Sequence, residues 1–379
     1  MRPRPGIPAL ALFAGMLALT AGNAAAQAAP PAVAPADSLD DGPYVYWRDD
    51  RTALSFYHCR GDFLASGWFE VRGAVTIRGL CADSTATYTL SSRPPKVEPE
   101  RFDGVPRIFA VSDIHGEYDA LVELLRNADV LDDALAWAWG TGHLVIAGDV
   151  FDRGDQVNEC LWLLRRLEQE ARSAGGRVHY LLGNHEVMVM RGDLRYVNPK
   201  YLEGVVVSSG VEYQDLYGPS MELGRWLRTL NVAVRINGVL FVHGGIGPGV
   251  VERGLDLSDL NEEGRRAIDL RSYDFVFNDM PGFVVQPDGP LWYRGYHRTM
   301  AGATMSTQED VDRVLSHFGA RAVVVGHTDV GTVTPLFGGK VFGIDVDLAA
   351  LGALQGLLWQ GGRFYRVAGS GALEALEGS

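Results

Sequence analysis

Five short apolar runs, each ending abruptly in polar residues, constrain the fold of this chain more than any other feature. They occupy residues 107–111, 143–147, 178–182, 239–242 and 322–325. Near-continuous apolar runs of this length are typical of strands buried on both faces. Predicted helices lie between them, at 118–128, 158–174, 220–230 and 307–318, the last opening on a capping-box pattern, Ser306-x-x-Glu309. Strands alternating with helices predict a layered α/β domain with its active loops gathered at one sheet edge.

The polar residues that follow the runs have the chemistry of metal ligands. They are carboxylates, an amide and imidazoles, without a thiolate: Asp113, His115, Asp149, Asn184, His243 and His327. This donor set suits hard or borderline ions such as Mn, Fe or Zn. Two ions could share the site if one carboxylate bridged them, and Asp149 at the second strand end is best placed to do so. Paired metals polarise a phosphoryl group and lower the pKa of a bridging water, so that hydroxide forms near neutral pH.

The order and spacing of these residues resemble a known family. Its pattern is Gly-Asp-x-His-Gly, Gly-Asp-x-x-Asp-Arg-Gly, Gly-Asn-His-Glu, His-Gly-Gly and Gly-His, and the chain is similar to it over about residues 105–350. The resemblance is to calcineurin-like metallophosphoesterases of the phosphoprotein phosphatase superfamily. Ser112 replaces the first glycine, and Leu182 stands where eukaryotic Ser/Thr phosphatases usually carry arginine. With Glu186-Val187-Met188 and Trp226-Leu227-Arg228, the chain is most similar to the Shewanella-like phosphatases.

The resemblance implies a layered α/β/β/α metallophosphoesterase core and a role for each matching residue. One metal would be held by Asp113, His115 and Asp149. The second would be held by Asp149, Asn184, His243 and His327. His185 would be the general acid, oriented by Asp152, while Arg153 and Arg294 would bind phosphate oxygens. Glu186 is expected to brace its loop rather than to touch the substrate.

The implied activity is that of a metal-dependent phosphoric monoester hydrolase. Such an enzyme uses metal-bound hydroxide and forms no covalent phosphoenzyme, and its substrates are phosphoproteins, including phosphotyrosine for some Shewanella-like members. Small phosphomonoesters remain an alternative, as does a phosphoanhydride or nucleotide hydrolase of the same fold. A metal-containing envelope binding protein is the alternative from another class. The matching His185, Asp152 and Arg153 argue against it, because a purely structural site requires no acid, orienting carboxylate or phosphate clamp.

The first residues have the pattern of a secretory signal peptide. Arg2 and Arg4 precede an apolar run at 7–21 and a segment of small residues, which predicts a signal at 1–28. The alternative is a membrane anchor, but the run holds about 15 residues where a spanning helix needs roughly 20. No other run approaches spanning length, so no transmembrane segment is expected after cleavage. The mature protein is therefore predicted to be periplasmic or secreted.

Three further segments are predicted after the signal. Residues 29–41, rich in Pro and Ala, form a linker; 42–97 form a small β-rich domain; 98–379 form the catalytic domain. The β-rich segment carries Cys59 and Cys81, which in an oxidising compartment could pair or could stay reduced and buried. Closing that 21-residue loop would stabilise the fold by roughly 3 kcal/mol.

Composition excludes several other classes of function. The net charge of −13 and the pI of about 5.1 disfavour binding to a phosphate backbone, so no nucleic-acid partner is expected. Three cysteines are too few for a Cys-based zinc site. Cys160 is expected to be a small buried hydrophobe. The remaining histidines are assigned to packing or surface positions: His58, His143, His179, His297 and His317.

Overall fold

A computed structural model describes residues 39–79, 86–270, 280–297, 305–349 and 354–376. The predicted signal peptide and nearly all of the predicted linker lie outside this part of the chain, as does Cys81. Cys59 is disulfide-bonded, but because Cys81 is not described, the pairing between the two stays a prediction. Among the described residues, none of the helices combines the length and the apolar character needed to cross a membrane.

The strands and helices are numbered in chain order. The strands are β1 (Asp41–Trp47), β2 (Thr52–Cys59), β3 (Asp62–Glu70), β4 (Ala74–Arg78), β5 (Thr87–Ser91), β6 (Arg101–Phe102), β7 (Arg107–Val111), β8 (His143–Ile146), β9 (Arg177–Tyr180), β10 (Ala233–Ile236), β11 (Val239–Val242), β12 (Ala322–Val325), β13 (Thr334–Leu336), β14 (Val341–Gly343), β15 (Gln355–Gln360), β16 (Arg363–Ala368) and β17 (Leu373–Ala375). The α-helices are α1 (Tyr118–Asn127), α2 (Val157–Ser173), α3 (Asn184–Met190), α4 (Val206–Ser209), α5 (Glu222–Leu227), α6 (Pro248–Glu252), α7 (Leu257–Ala267), α8 (Met280–Phe283) and α9 (Gln308–Phe318). Shorter helical turns lie at Lys200–Val205, Tyr213–Tyr217 and Phe337–Gly339.

Two six-stranded sheets form the centre of the described fold. The first has the order β17-β16-β15-β7-β8-β9, and the second has the order β13-β14-β12-β11-β10-β6. The strands that carry the sequence motifs are parallel to their motif-bearing neighbours: β7 with β8, β8 with β9, and β11 with β12. Their carboxyl ends therefore lie at one edge of each sheet, as the alternation of strands and helices predicted.

The side chains of each motif strand divide between two apolar cores. In β7, Ile108 and Ala110 belong to a core that also contains Val239 and Val324 of the second sheet. Phe109 and the other outward residues of these strands belong to the core shared with the helices. Because successive strand residues face opposite sides, each sheet is covered on both faces. This explains the near-continuous apolar runs and confirms the layered α/β/β/α core.

The N-terminal strands pack against the helical layer of the core. Strands β1, β2 and β3 form one antiparallel sheet, and β4 with β5 forms a hairpin, which confirms a β-rich N-terminal region. The indole of Trp162 on α2 donates a hydrogen bond to the carbonyl of Pro43 (2.8 Å), and Tyr88 packs against the same indole. Trp47 donates to Glu222 on α5 at 2.8 Å. Aromatic side chains therefore link this region to α2 and α5.

Candidate active site

Every predicted ligand lies just beyond a strand end, where the two sheet edges meet. Asp113 and His115 follow β7, Asp149 follows β8, and Asn184 begins α3 after β9. His243 follows β11 and His327 follows β12. All six side chains are buried or nearly so, with exposed fractions of 0–6%. Burial of so many carboxylate and imidazole groups together is costly unless a partner of opposite charge is present.

The loops hold several of these residues in the left-handed backbone region. Six site residues have φ between 47° and 73°: Asp113, His115, Asp149, Asp152, Arg153 and His327. Non-glycine residues adopt this region rarely, and such strain is concentrated at functional sites. Gly183 is required for a different reason, since a Cβ there would lie 2.1 Å from Oδ1 of Asp149. Strained turns therefore direct the side chains of different strands toward one point.

Asp149 lies at the centre of the cluster. Its Oδ2 is 3.2 Å from Nε2 of His243, 3.8 Å from Nε2 of His185 and 4.0 Å from Nε2 of His115. Two groups with ligand atoms within 4.8 Å of one another share it: His115, Asp149 and His185 in one, Asp149, His243 and His327 in the other. Asp149 thus belongs to both groups, and the first group includes His185, the predicted general acid.

The hydrogen bonds of the imidazoles leave ligand nitrogens directed into the cluster. Nδ1 of His115 donates to the carbonyl of Phe151 (2.7 Å), and Nδ1 of His243 donates to the carbonyl of Ala147 (2.8 Å). Nε2 of His115 and Nε2 of His327 are buried with no hydrogen-bond partner. Metal-binding histidines characteristically donate their other nitrogen to a carbonyl in this way. The residues present therefore fit a metal site.

The pKa values of the three imidazoles in the cluster shift in different directions. Burial lowers the pKa of His115 to about 3 and lowers that of His327 well below its ordinary value, so both stay neutral, the form that binds metals. Burial also opposes the charging of His243, but the carboxylate of Asp149 outweighs it and raises the pKa to about 10. Nε2 of His243 additionally lies 2.8 Å from Oδ1 of Asn184. Several oxygen atoms thus converge where a positive charge is favoured.

His185 and Asp152 form a buried pair beside this cluster. Nδ1 of His185 donates to Oδ2 of Asp152 at 2.6 Å, which leaves Nε2 facing Asp149. Burial opposes the charged imidazole, but the carboxylates of Asp149 and Asp152 produce a net rise in the pKa of His185. A histidine held in one orientation and biased toward its protonated form can donate a proton.

The two predicted arginines line a cavity of about 430 Å³ that opens beside the cluster. Arg294 is held by hydrogen bonds from its Nη1 to the carbonyl of His327 (2.5 Å) and to Oγ1 of Thr328 (3.2 Å). Arg153, which is exposed, lines the same cavity. Two guanidinium groups around one cavity suit the oxygens of a phosphate.

Glu186 braces the loops, as the sequence predicted. Its carboxylate accepts hydrogen bonds from the backbone amides of Asp149 (2.9 Å), Val150 (2.7 Å) and Gly183 (2.6 Å), and from the hydroxyl of Tyr180 (2.8 Å). It is fully buried. With its oxygens occupied by these donors, Glu186 connects the loop after β8 to the turn after β9.

Two features of the site were not predicted from the sequence. Four carboxylates line the cavity beside the arginines: Glu117, Asp329, Asp345 and Asp347. The exposed ring of Tyr196 lies against His185, with ring centroids 5.3 Å apart. Glu117 and Asp329 each lie two residues after a motif histidine, whereas Tyr196, Asp345 and Asp347 come from loops outside the motifs. The five other histidines lie outside the cluster, as expected, and Cys160 is buried.

Two packed sheets with carboxylate, amide and imidazole donors at their shared edge make a metallophosphoesterase core. A family model described as calcineurin-like phosphoesterase matches residues 106–331. The chain therefore belongs to the calcineurin-like phosphoesterase family, in agreement with the resemblance carried by the motifs.

Within this family the chain is similar to Shewanella-like phosphatases. A crystal structure of a cold-active protein-tyrosine phosphatase of a psychrophilic Shewanella species superposes with a TM-score of 0.82 at 36% identity, covering 89% of this chain and 99% of that one. Shewanella-like protein phosphatase 1 of Plasmodium berghei is 29% identical over 223 residues, which are 59% of this chain and 61% of the relative. Shewanella-like protein phosphatase 2 of Arabidopsis thaliana is 39% identical over 103 residues, 27% of this chain and 26% of the relative. The chain thus matches less than two thirds of these two relatives' lengths.

Proposed function

We propose that this protein is an exported phosphatase that holds two metal ions and hydrolyses phosphomonoesters of proteins, with phosphotyrosine as the favoured substrate. The observation that carries the proposal is the position of the His185–Asp152 pair. It lies beside a bridging carboxylate and two unpartnered imidazole nitrogens, with an arginine-lined cavity adjacent. A site that only held metal ions would not need the His185–Asp152 pair.

The metal ligands follow from the two groups around Asp149. His115 and Asp149 of the first group would hold one ion, and Asp149, His243 and His327 of the second group would hold the other. Asp113, whose Oδ1 lies 3.9 Å from Nε2 of His115, would complete the first set of ligands, and Asn184, whose Oδ1 lies 2.8 Å from Nε2 of His243, would complete the second. When bound, such ions polarise the phosphoryl group and supply a nucleophile near neutral pH. The donor set accepts Mn, Fe or Zn.

The remaining side chains bind the phosphate and complete the reaction. Arg153 and Arg294 bind phosphate oxygens through their guanidinium groups and hold the phosphoryl group against the cluster. His185 donates a proton to the leaving oxygen, and Asp152 fixes its tautomer and stabilises its charged form. No protein nucleophile is required, and the proposal therefore includes no phosphoenzyme.

The charge of the cavity favours a phosphomonoester over a nucleotide or polyphosphate. The two exposed carboxylates that line the cavity, Asp329 and Asp347, would repel a second or third phosphate beyond the one bound by the arginines. A peptide brings no such additional charge. The name of the Shewanella neighbour, a protein-tyrosine phosphatase, supports the same choice.

A substrate panel tests the activity. Protein stripped of metal and reloaded with Mn, Fe or Zn is assayed on phosphotyrosine and phosphoserine peptides, sugar phosphates, mononucleotides and a dinucleoside tetraphosphate. We expect metal-dependent release of phosphate that is fastest from the phosphotyrosine peptide. Faster cleavage of the dinucleoside tetraphosphate would replace the proposal with the anhydride hydrolase, and binding of metal without turnover of any substrate would favour a binding protein.

Export is the second part of the proposal and rests on the N-terminal pattern of basic, apolar and small residues. We expect the mature chain to begin near Gln27 or Ala29. Terminal sequencing of protein from the producing cell decides this, and a retained Met1 would contradict it.

A further inference from the structure

Tyr196 is an exposed aromatic residue beside the proposed acid. Its side chain is 48% exposed, and its ring is inclined by 51° to that of His185 at a centroid distance of 5.3 Å. His115, the other ring in contact with His185 among the described residues, is buried. A large aromatic residue that is about half exposed next to a reactive group offers apolar surface to a ligand.

The position of Tyr196 is fixed relative to the proposed phosphate-binding arginine. The backbone amide of Arg153 donates to the carbonyl of Tyr196 (2.9 Å), and Nδ2 of Asn198 donates to the carbonyl of Arg153 (2.7 Å). The guanidinium carbon of Arg195 lies 5.6 Å from the Tyr196 ring centroid, and Asp193 holds Arg195 through two hydrogen bonds of 2.8 and 2.7 Å. The loop therefore presents the ring in a defined place.

We propose that Tyr196 determines specificity by stacking on the aromatic ring of a phosphotyrosine leaving group, an inference that rests on the proposed function. The leaving oxygen must lie within hydrogen-bond reach of Nε2 of His185 in order to receive its proton. The organic group bound to that oxygen starts beside His185, where the Tyr196 ring is exposed. The phenyl ring of phosphotyrosine can stack on Tyr196 with about 4.5–7 Å between ring centroids. The single methylene of a phosphoserine would cover little of the Tyr196 ring.

Two variants separate stacking from a general role. Tyr196→Ala is compared with Tyr196→Phe on peptides of one sequence that carry phosphotyrosine or phosphoserine. For Tyr196→Ala we expect kcat/KM to fall about three- to tenfold on phosphotyrosine, mainly through KM, and to stay within twofold on phosphoserine. Tyr196→Phe keeps the ring and should behave as the wild type.

A binding measurement provides a readout independent of turnover. Calorimetry with a non-hydrolysable difluorophosphonate analogue of the phosphotyrosine peptide should show weaker binding to Tyr196→Ala by a similar factor. Inorganic phosphate, which has no ring, should inhibit both proteins equally. Trp68→Ala, which removes another aromatic side chain of similar exposure (51%) on β3, should change neither result.

The outcomes distinguish this inference from the function on which it rests. An equal loss on both peptides would mean that Tyr196 supports His185 instead of contacting the substrate, and would overturn the inference. An unchanged kcat/KM for Tyr196→Ala, or an equal change for Trp68→Ala, would overturn it as well. If the wild type hydrolyses neither peptide, the proposed function fails before Tyr196 is tested.

Discussion

Asp149 and Asp152 are three residues apart, yet their surroundings assign them different roles. Asp149 lies among the Nε2 atoms of three imidazoles, whereas Oδ2 of Asp152 accepts a hydrogen bond from Nδ1 of His185. Both are buried with exposed fractions of 1%. These surroundings support the proposed roles, with Asp149 as a metal ligand and Asp152 as the carboxylate that orients His185 for proton transfer.

Substitution of each aspartate separates these roles. Asp149→Asn should lose at least one metal and essentially all activity. Asp152→Asn should keep its metals and fold, while turnover falls by about 10²–10⁴, the usual cost of lost acid–base catalysis. The defect should be smaller on nitrophenyl phosphate, whose leaving group needs little protonation, than on phosphoserine.

Metal analysis and turnover on both substrates measure this difference. If Asp152→Asn loses metal as Asp149→Asn does, or slows both substrates equally, then Asp152 and His185 do not protonate the leaving group.

At the scale of single elements, the predicted capping box of α9 is present but lies one residue further along the chain than predicted. The capping box is formed by Thr307 and Asp310, not by Ser306 and Glu309: Asp310 N donates to Oγ1 of Thr307 (3.2 Å), and Thr307 N donates to Oδ2 of Asp310 (2.8 Å). Both pairs fit the spacing. The Ser306 hydroxyl instead contacts the hydroxyl of Tyr293 at 2.6 Å, which a sequence pattern cannot reveal.

Removal of the observed cap should therefore destabilise the protein. Thr307→Ala should lower the free energy of unfolding by about 1 kcal/mol. Thr307→Ser keeps an oxygen in the same place and should cost a few tenths at most. Urea unfolding of the two variants tests the assignment, and equal stabilities would contradict it.

The other elements could be predicted from the sequence where local patterns define them, and not where contacts between residues far apart in sequence define them. The strands 107–111, 239–242 and 322–325 begin and end as predicted, because each is a buried apolar run that stops abruptly at a polar residue or a glycine. The ligand positions follow from the same strand ends. Strands β15 to β17 were missed: β15 joins the sheet by pairing with β7, far away in sequence, and β16 and β17 extend the sheet from β15. Tyr196 was missed for the same physical reason, since only folding brings its loop to Arg153.

At the scale of the whole molecule, a partly buried ionic cluster joins the N-terminal sheet to the catalytic core. Nζ of Lys200 lies 2.7 Å from Oδ2 of Asp41 on β1 and 3.7 Å from Oε1 of Glu159 on α2. Burial, together with the charge of Asp41, raises the pKa of Glu159 to about 8, against the opposing effect of Lys200. As the pH rises, Glu159 therefore keeps its proton to a higher pH in the folded state than in the unfolded chain.

Stability should depend on pH through this group. The pKa of Glu159 is higher in the folded state than in the unfolded chain. The contribution of Glu159 to the free energy of unfolding is therefore complete below about pH 4.5 and is lost as the pH rises to about 8. Glu159→Gln cannot lose that proton, so its stability relative to the wild type should rise between pH 5 and pH 9. Urea unfolding at both values measures this. Glu123→Gln, an exposed change on α1, should follow the wild type; a Glu159→Gln difference that stays constant with pH would contradict the assignment.

Metal binding should stabilise the whole fold. A ligand that binds only the folded state adds about 3 kcal/mol when its free concentration is a hundredfold above its Kd. Chelation should therefore lower the Tm, and Mn or Zn should restore it. Asp149→Asn provides the matched control, because its Tm should change little on chelation. An unchanged Tm in the chelated wild type, with metal loss verified, would contradict this prediction.

The single carboxylate of Glu186 has a consequence for how the two ions are taken up. It holds amides from the loop that carries Asp149 and from the turn that precedes Asn184, so neither loop can shift without the other. In the proposed two-ion site, occupancy of one position would therefore change the affinity of the other, and thermodynamic reciprocity would make the factor equal in both directions. Because the proposed reaction uses both ions, the supply of the scarcer one would control how much of the enzyme is competent.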